Sequence, residues 1–175
     1  LHFRSIQPPF GGFFYGGSMS INLQQLQELV INPALSRLDL YSEVASNLVL
    51  GTAIQESGAG KYIHQVGGGP ALGIFQMEPR TEGDLWENFI KFRPTISGAL
   101  KTMLAPGRDR TSQLITNLDY AAAMCRVHYL RARDPLPTDP NDIDALGRYW
   151  KKFYNTPLGA GKVEEFIYNW QRAHR

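Results

Sequence analysis

The segment from Asp39 to Gln55 constrains the fold most. Leu40, Val44, Leu48 and Val49 recur on one side of a helix, and Gly51, Ala53 and Ile54 continue it with small and apolar residues. A helix of this kind is central and largely buried, so it demands a shell of other elements around it. Its last turn delivers Glu56 and Ser57, and a glycine-rich loop follows with Gly67, Gly68, Gly69 and Pro70 at its centre. Glu56 therefore falls where core meets cleft.

The surrounding pattern is also helical. Leu23, Leu26, Leu29 and Val30 keep helical spacing, with Ser20 as the expected cap and Pro33 as the expected interruption. Thr81 reads as the cap of a helix carrying Leu85, Trp86 and Phe89. Further helices are predicted over Ile96 to Leu104, over the alanine-rich Leu114 to Arg133, from an Asp142 cap towards Tyr154, and over Lys162 to Arg172. The prolines between Asp134 and Pro140 enforce a loop. Any strands belong between Gly58 and Gly73 and are short. The expected fold class is mainly α, a single domain with little or no β.

Residues 1–18 differ in character, with four glycines, two prolines and four phenylalanines ahead of Met19. They read as an expression tag and linker, with a genuine N-terminal arm as the alternative. Residues 19–175 read as one domain of a size that one core can serve. The formal net charge is +2, from 18 basic and 16 acidic side chains. That balance argues against nucleic acid as a partner. No stretch reaches the roughly 18 consecutive apolar residues of a membrane span, and no secretory pattern opens the chain. The expectation is synthesis in the cytoplasm without a signal peptide. The lone cysteine, Cys125, lies in the apolar run Ala121 to Val127 and reads as a small buried hydrophobe.

Three motifs carry chemistry. Half-buried, Glu56 loses solvation of its charged form, its pKa rises, and it can serve as a general acid; a helix-end glutamate capping a backbone group is the competing reading. In Gly73-Ile74-Phe75-Gln76-Met77-Glu78-Pro79, the glycine permits close backbone approach and the Gln76 amide can fix a sugar hydroxyl or acetamido group. A buried glutamine bonded to loop backbone is the alternative. Tyr154 and Asn155, followed by Pro157, Gly159 and Gly161, either place a hydroxyl near the acid or simply build a turn.

In their order along the chain these blocks resemble the lytic transglycosylase and goose-type lysozyme group. The resemblance rests on Glu56-Ser57, on Gly73, Ile74, Phe75, Gln76 and Pro79, on the alanine-rich helix Asn117 to Leu130, and on Tyr154 to Gly161. It covers about Val44 to Trp170. It implies a lysozyme-like fold whose glutamate protonates the β-1,4 bond between N-acetylmuramic acid and N-acetylglucosamine. Glu56 is then the catalytic residue, while Ser57, Phe75, Gln76, Tyr154 and Asn155 are the substrate-contacting set, with Ser57 also supporting the loop behind the acid. No metal or cofactor is implied, and the partner is the peptidoglycan glycan strand. The glycine-rich insertion looks more like a bacteriophage endolysin or a virion-associated enzyme. Such an enzyme acts after membrane permeabilisation or from a virus particle beside other phage proteins.

The resemblance leans to the one-carboxylate transglycosylase scheme, which leaves 1,6-anhydromuramyl ends. Hydrolysis needs a second carboxylate roughly 5–10 Å away, for which Glu78, Glu82 and Asp84 are candidates, each also explicable as a helix N-terminal acid. A non-catalytic sugar-binding module, using Tyr62, Phe75, Trp86, Trp150 or Tyr154 for stacking, is the rival from another class. A metal-dependent amidase is disfavoured because His64, His128 and His174 stand far apart and no H-E-x-x-H pattern occurs. A serine hydrolase is disfavoured by the missing G-x-S-x-G elbow.

Overall fold

The computed structural model describes residues 20–156 and 159–175. Residues 1–18, the Met19 boundary and Pro157 lie outside them. Nine α-helices account for most of the described chain: α1 (Leu23–Leu26), α2 (Asn32–Arg37), α3 (Glu43–Ser57), α4 (Pro79–Asn88), α5 (Pro94–Met103), α6 (Gln113–Thr116), α7 (Leu118–Leu130), α8 (Ile143–Trp150) and α9 (Val163–Ala173). Wider π turns occupy Gln27–Ile31 and Lys151–Asn155, and a 3₁₀ turn occupies Ile90–Phe92. The described residues contain no strand, only isolated antiparallel bridges at His64–Leu72 and Leu72–Met77. The fold class is mainly α, as expected. Among the described residues no helix is long and apolar enough to cross a membrane.

Helix α3 is the axis of the core. Val44, Ala45, Leu48, Val49, Leu50, Ala53 and Ile54 are all buried, as are the polar Ser46, Thr52 and Ser57. The first π turn and α7, α8 and α9 surround it. The buried hydroxyls are satisfied locally: Thr52 donates to the Leu48 carbonyl at 2.8 Å and takes the Tyr129 hydroxyl at 2.7 Å. Cys125 is buried in the same core, and burial pushes its thiol pKa far up.

Several expected boundaries move, each for a local reason. Asn22, not Ser20, caps α1, its Oδ1 accepting the Gln25 N–H at 2.9 Å. Pro33 does not stop the first helical run. The π turn shifts the register, Asn32 N–H bonding the Gln27 carbonyl, so the proline falls in the first turn of α2 where no N–H is needed. Asp39 takes φ 57°, which leaves Leu40 outside the central helix, and Ser42 caps it through the Ala45 N–H at 3.1 Å. Pro79, not Thr81, opens α4, with Glu78 in extended conformation before it. The alanine-rich helix is split at Asn117, whose Oδ1 caps α7 through the Tyr120 N–H at 3.1 Å. Asp142 caps α8 as expected, accepting the Ala145 N–H at 2.9 Å.

The tightest packing joins α3, α8 and α9. A Cβ placed on Gly51 would lie 2.3 Å from Cζ of Phe166, and one on Gly147 would lie 3.2 Å from Cδ1 and from a Val163 methyl. Phe166 thus fills a slot that exists because two helices carry glycine there. Its ring stacks on Trp150 with centroids 5.5 Å apart. Gly51→Ala gains helix propensity but overpacks a buried ring. The expected net loss is about 1–2 kcal/mol, read from the urea midpoint. Combining it with Phe166→Leu should be less than additive, and full additivity would show that the two positions do not meet.

Candidate active site

A cleft of about 680 Å³ opens at the C-terminal end of α3, with Glu56, Gln76, Glu78, His128, Tyr154 and Asn155 in its lining. Glu56 sits in the last turn of α3, half-buried. Its Oε1 accepts the indole N–H of Trp150 at 2.8 Å. Burial raises the carboxyl pKa from 4.5 to about 7, and the Trp150 hydrogen bond opposes that rise. With Oε1 occupied by a donor, the proton of the neutral acid belongs on Oε2.

The loop after α3 is built on backbone conformations that favour glycine. Gly58 ends the helix at φ 60°, and Gly60 stands at φ 89°. Ser57 Oγ donates to the Ile74 carbonyl at 2.6 Å and accepts the Gly60 N–H at 3.0 Å. Leu72 and Met77 exchange two backbone hydrogen bonds of 3.0 Å, closing residues 72–77 into a tight loop. Gly73 stands at φ 71°, where an added Cβ would lie 1.9 Å from the Leu114 carbonyl oxygen. The expectation of close backbone approach at Gly73 therefore holds, with α6 as the neighbour. Gln76 adopts φ 47°, unusual for a non-glycine residue, and its Nε2 donates to the Gly73 carbonyl at 2.7 Å.

The opposite wall comes from the π turn after α8. The Tyr154 hydroxyl donates to the Phe75 carbonyl at 2.7 Å, tying this turn to the 72–77 loop. Lys151 Nζ reaches both Asn155 Oδ1 and the Gly159 carbonyl at 2.7 Å, which fixes Asn155 and the chain beyond it. Burial pushes the Tyr154 phenol well above its ordinary pKa, so it remains a neutral hydroxyl.

Four of the sequence-derived site residues, Glu56, Gln76, Tyr154 and Asn155, converge on the cleft. Two of the six do not reach it as substrate contacts. Ser57 is buried and its hydroxyl is engaged with loop backbone, which leaves it only the supporting part of its expected role. The Phe75 side chain points into the core, and only its carbonyl meets the site, through Tyr154.

The second-carboxylate candidates also separate. Glu82 is fully buried, paired with Arg110 at 2.5 Å and bonded by the Tyr120 hydroxyl at 2.5 Å. Asp84 pairs with Arg131 and Asn88, and Arg131 holds its carboxyl below the ordinary pKa. Glu78 alone of the three lines the cleft.

Among the proposed stacking aromatics, Phe75, Trp86 and Trp150 are buried, Tyr62 is exposed at the cleft, and Tyr154 lines it. Among the described residues no group of three or more His, Cys, Asp or Glu side chains could hold a metal ion. Two cleft features escaped sequence reasoning: Trp150 as the partner of the acid, and His128 in the lining. No family model, curated protein or solved structure matches this chain.

The raised pKa has a consequence for stability. Folding favours the protonated form, so the contribution of Glu56 is complete below pH 4.5 and is lost as pH rises through about 7. Above that, a buried carboxylate costs up to about 3 kcal/mol. Glu56→Gln should therefore match wild type near pH 4 and be more stable near pH 8, measured by denaturant titration at both values. Equal stability differences at the two pH values would show that Glu56 is solvated.

Proposed function

We propose that the protein is a peptidoglycan-cleaving glycosidase of lysozyme-like fold, with Glu56 as its acid. The observation that carries the reading is a half-buried carboxyl, raised to about 7 and bonded by Trp150, at the base of a polar cleft. An acid neutral near physiological pH can protonate a glycosidic oxygen. Here Oε2 would deliver the proton to the oxygen between N-acetylmuramic acid and N-acetylglucosamine as the bond to muramyl C1 breaks. The resulting carboxylate would then take the proton of the muramyl 6-hydroxyl while that oxygen closes on C1. The product would be a 1,6-anhydromuramyl end, and the acid would be regenerated. Gln76, Tyr154 and Asn155 would frame the sugar beside the acid. Placement in a bacteriophage lysin or virus particle, among other phage proteins, belongs to the same proposal and rests on the glycine-rich loop.

One observation favours a second reading. Glu78 lines the same cleft as Glu56, and no ion pair involves it among the described residues. It could serve as the base of a hydrolase that activates water.

Digestion of purified peptidoglycan followed by mass spectrometry separates these schemes, since the anhydro product is lighter by one water. Wild type should release anhydromuropeptides, and Glu56→Gln should be slower by roughly 10²–10⁴-fold. Reducing muramyl ends, lost in Glu78→Gln, would transfer the assignment to a hydrolase. Equal cleavage by wild type and Glu56→Gln would remove Glu56 from the chemistry.

Activity should fall as pH rises past about 7, where the acid loses its proton. Because the Trp150 hydrogen bond lowers that pKa, Trp150→Phe should move the alkaline limb to higher pH. An unmoved limb with reduced rate would limit Trp150 to packing.

A further inference from the structure

Lys151 is a half-buried cation that the proposed chemistry leaves without a role. No ion pair involves it among the described residues. Its Nζ is spent instead on two neutral oxygens, Asn155 Oδ1 and the Gly159 carbonyl, each at 2.7 Å. Asn155 and Gly159 both line the cleft, whereas Lys151 does not. The ammonium therefore stands behind the wall and holds it from there.

An ammonium has three donors and no acceptor. It fixes the Asn155 amide in one sense, with Oδ1 turned back to Lys151 and Nδ2 turned away from it. Two glycines leave room for that arrangement. A Cβ on Gly159 would lie 2.4 Å from Asn155 Oδ1, and one on Gly161 would lie 3.1 Å from Nδ2. Nδ2 makes no hydrogen bond among the described residues. It nevertheless keeps solvent-accessible surface, since His128 Nδ1 is the one buried side-chain polar atom without a partner among those residues. The result is an oriented N–H donor on a residue of the cleft wall. The positive charge on the oxygen side of the amide polarises its N–H groups and strengthens them as donors.

We infer that Lys151 is a positioning residue: by holding Oδ1 it presents the Asn155 Nδ2 hydrogens to an acceptor oxygen of a glycan bound in the cleft. This rests on reading the cleft as a glycan site, and it adds the residue that sets the direction of one donor there. Lys151 itself touches no substrate atom. Freed from it, the amide turns about its terminal bond, whose preference is broad and two-fold, and offers oxygen to the ligand as readily as nitrogen.

Four substitutions separate positioning from support. Lys151→Met keeps the length of the side chain and removes its donors, while Lys151→Arg keeps donors. Asn155→Asp keeps an oxygen for Lys151 and replaces the nitrogen, and Asn155→Ala removes the amide altogether. All are assayed on solubilised peptidoglycan strands with Glu56 intact, with thermal melts to verify folding. Asn155→Ala is made with and without Lys151→Met.

The expected kcat/KM is at least about tenfold lower in Asn155→Asp and about fivefold lower in Lys151→Met, mainly through KM, and within about twofold of wild type in Lys151→Arg. In the Asn155→Ala background, Lys151→Met should cost nothing further. An equal cost in both backgrounds marks mere support of the chain at Gly159 and overturns the inference. Undiminished kcat/KM in Lys151→Met or in Asn155→Asp does the same. As a measurement free of substitutions at either position, the side-chain ¹⁵N resonance of Asn155 should move when the same strands are added to labelled Glu56→Gln protein. A static Asn155 resonance beside a moving Trp150 indole resonance counts against the contact. Any of these failures in a protein whose wild type cleaves peptidoglycan overturns the inference alone. A wild type that does not cleave removes the glycosidase reading and the inference that rests on it.

Discussion

The approach of α9 to α3 governs more of this molecule than any single polar contact. Gly51 and Gly147 leave the slot in which Phe166 sits, and Phe166 in turn supports the face of Trp150. A Cβ on Gly161 would lie 2.6 Å from the Trp150 ring, so the indole is held from a second side as well. Its N–H then reaches Glu56 across 94 residues of sequence. Apolar packing is non-directional, yet here it is converted into the placement of one hydrogen-bond donor. The same packing removes water from Glu56, so the position of the acid and its raised pKa share a physical origin.

Around that acid the backbone accepts strain. Gln76 at φ 47° and Thr156 at φ 67° both line the cleft, and neither is glycine. Such conformations cost on the order of 1–3 kcal/mol each and persist only where surrounding contacts enforce them. For Gln76 the enforcing contacts are identifiable: the Leu72–Met77 backbone pair, the tie from its own amide to Gly73, and the seat of Gly73 against Leu114. The Tyr154–Phe75 bond joins this loop to the π turn, so the two walls of the cleft are set relative to each other by a hydrogen bond rather than by shared secondary structure. The π turn matters for the same reason. Its wider turn, with more residues in it, accompanies the placement of Tyr154 and Asn155 at the cleft, while Trp150, at the end of α8, is buried in the core.

What was legible in the sequence followed from periodicity and from breaks in polarity. The central helix announced itself by its apolar run, and Glu56 by falling where that run meets glycines. Gln76 and Tyr154 were legible through their spacing in motifs. The helix starts at Leu23, Glu43 and Leu118 were misplaced because each depends on which of several capping residues captures a backbone N–H, and that at Pro79 because a proline opens α4 with no side-chain cap. Local sequence offers more than one candidate for that role. Ser57 and Phe75 were drawn into the site because they belong to the same sequence blocks as Glu56 and Gln76. Such membership does not reveal that their side chains turn inward, one to loop carbonyls and the other to the core. Glu78, Glu82 and Asp84 looked equivalent as acids near a helix start. Only tertiary partners, Arg110 and Tyr120 for one and Arg131 for another, told them apart. Trp150 and His128 were hidden for a related reason: an aromatic residue or a histidine on an apolar helix carries no mark of a distant partner.

The electrostatics of the cleft bear on the proposed reaction as a cycle. Burial that keeps Glu56 protonated also makes its carboxylate costly, since among the described residues only Trp150 donates to it. Proton donation would therefore leave a carboxylate more basic than an ordinary glutamate, able to take a proton back near neutral pH. One residue can serve both half-reactions only if its environment sets the pKa near the working pH. A fully solvated glutamate would stay ionised and fail as an acid, while one buried without the Trp150 donor would hold its proton too tightly to give it up. The opposing effects of burial and indole place Glu56 between those limits. By this argument the packing around Trp150 tunes the proposed chemistry, although the indole itself touches no reacting atom.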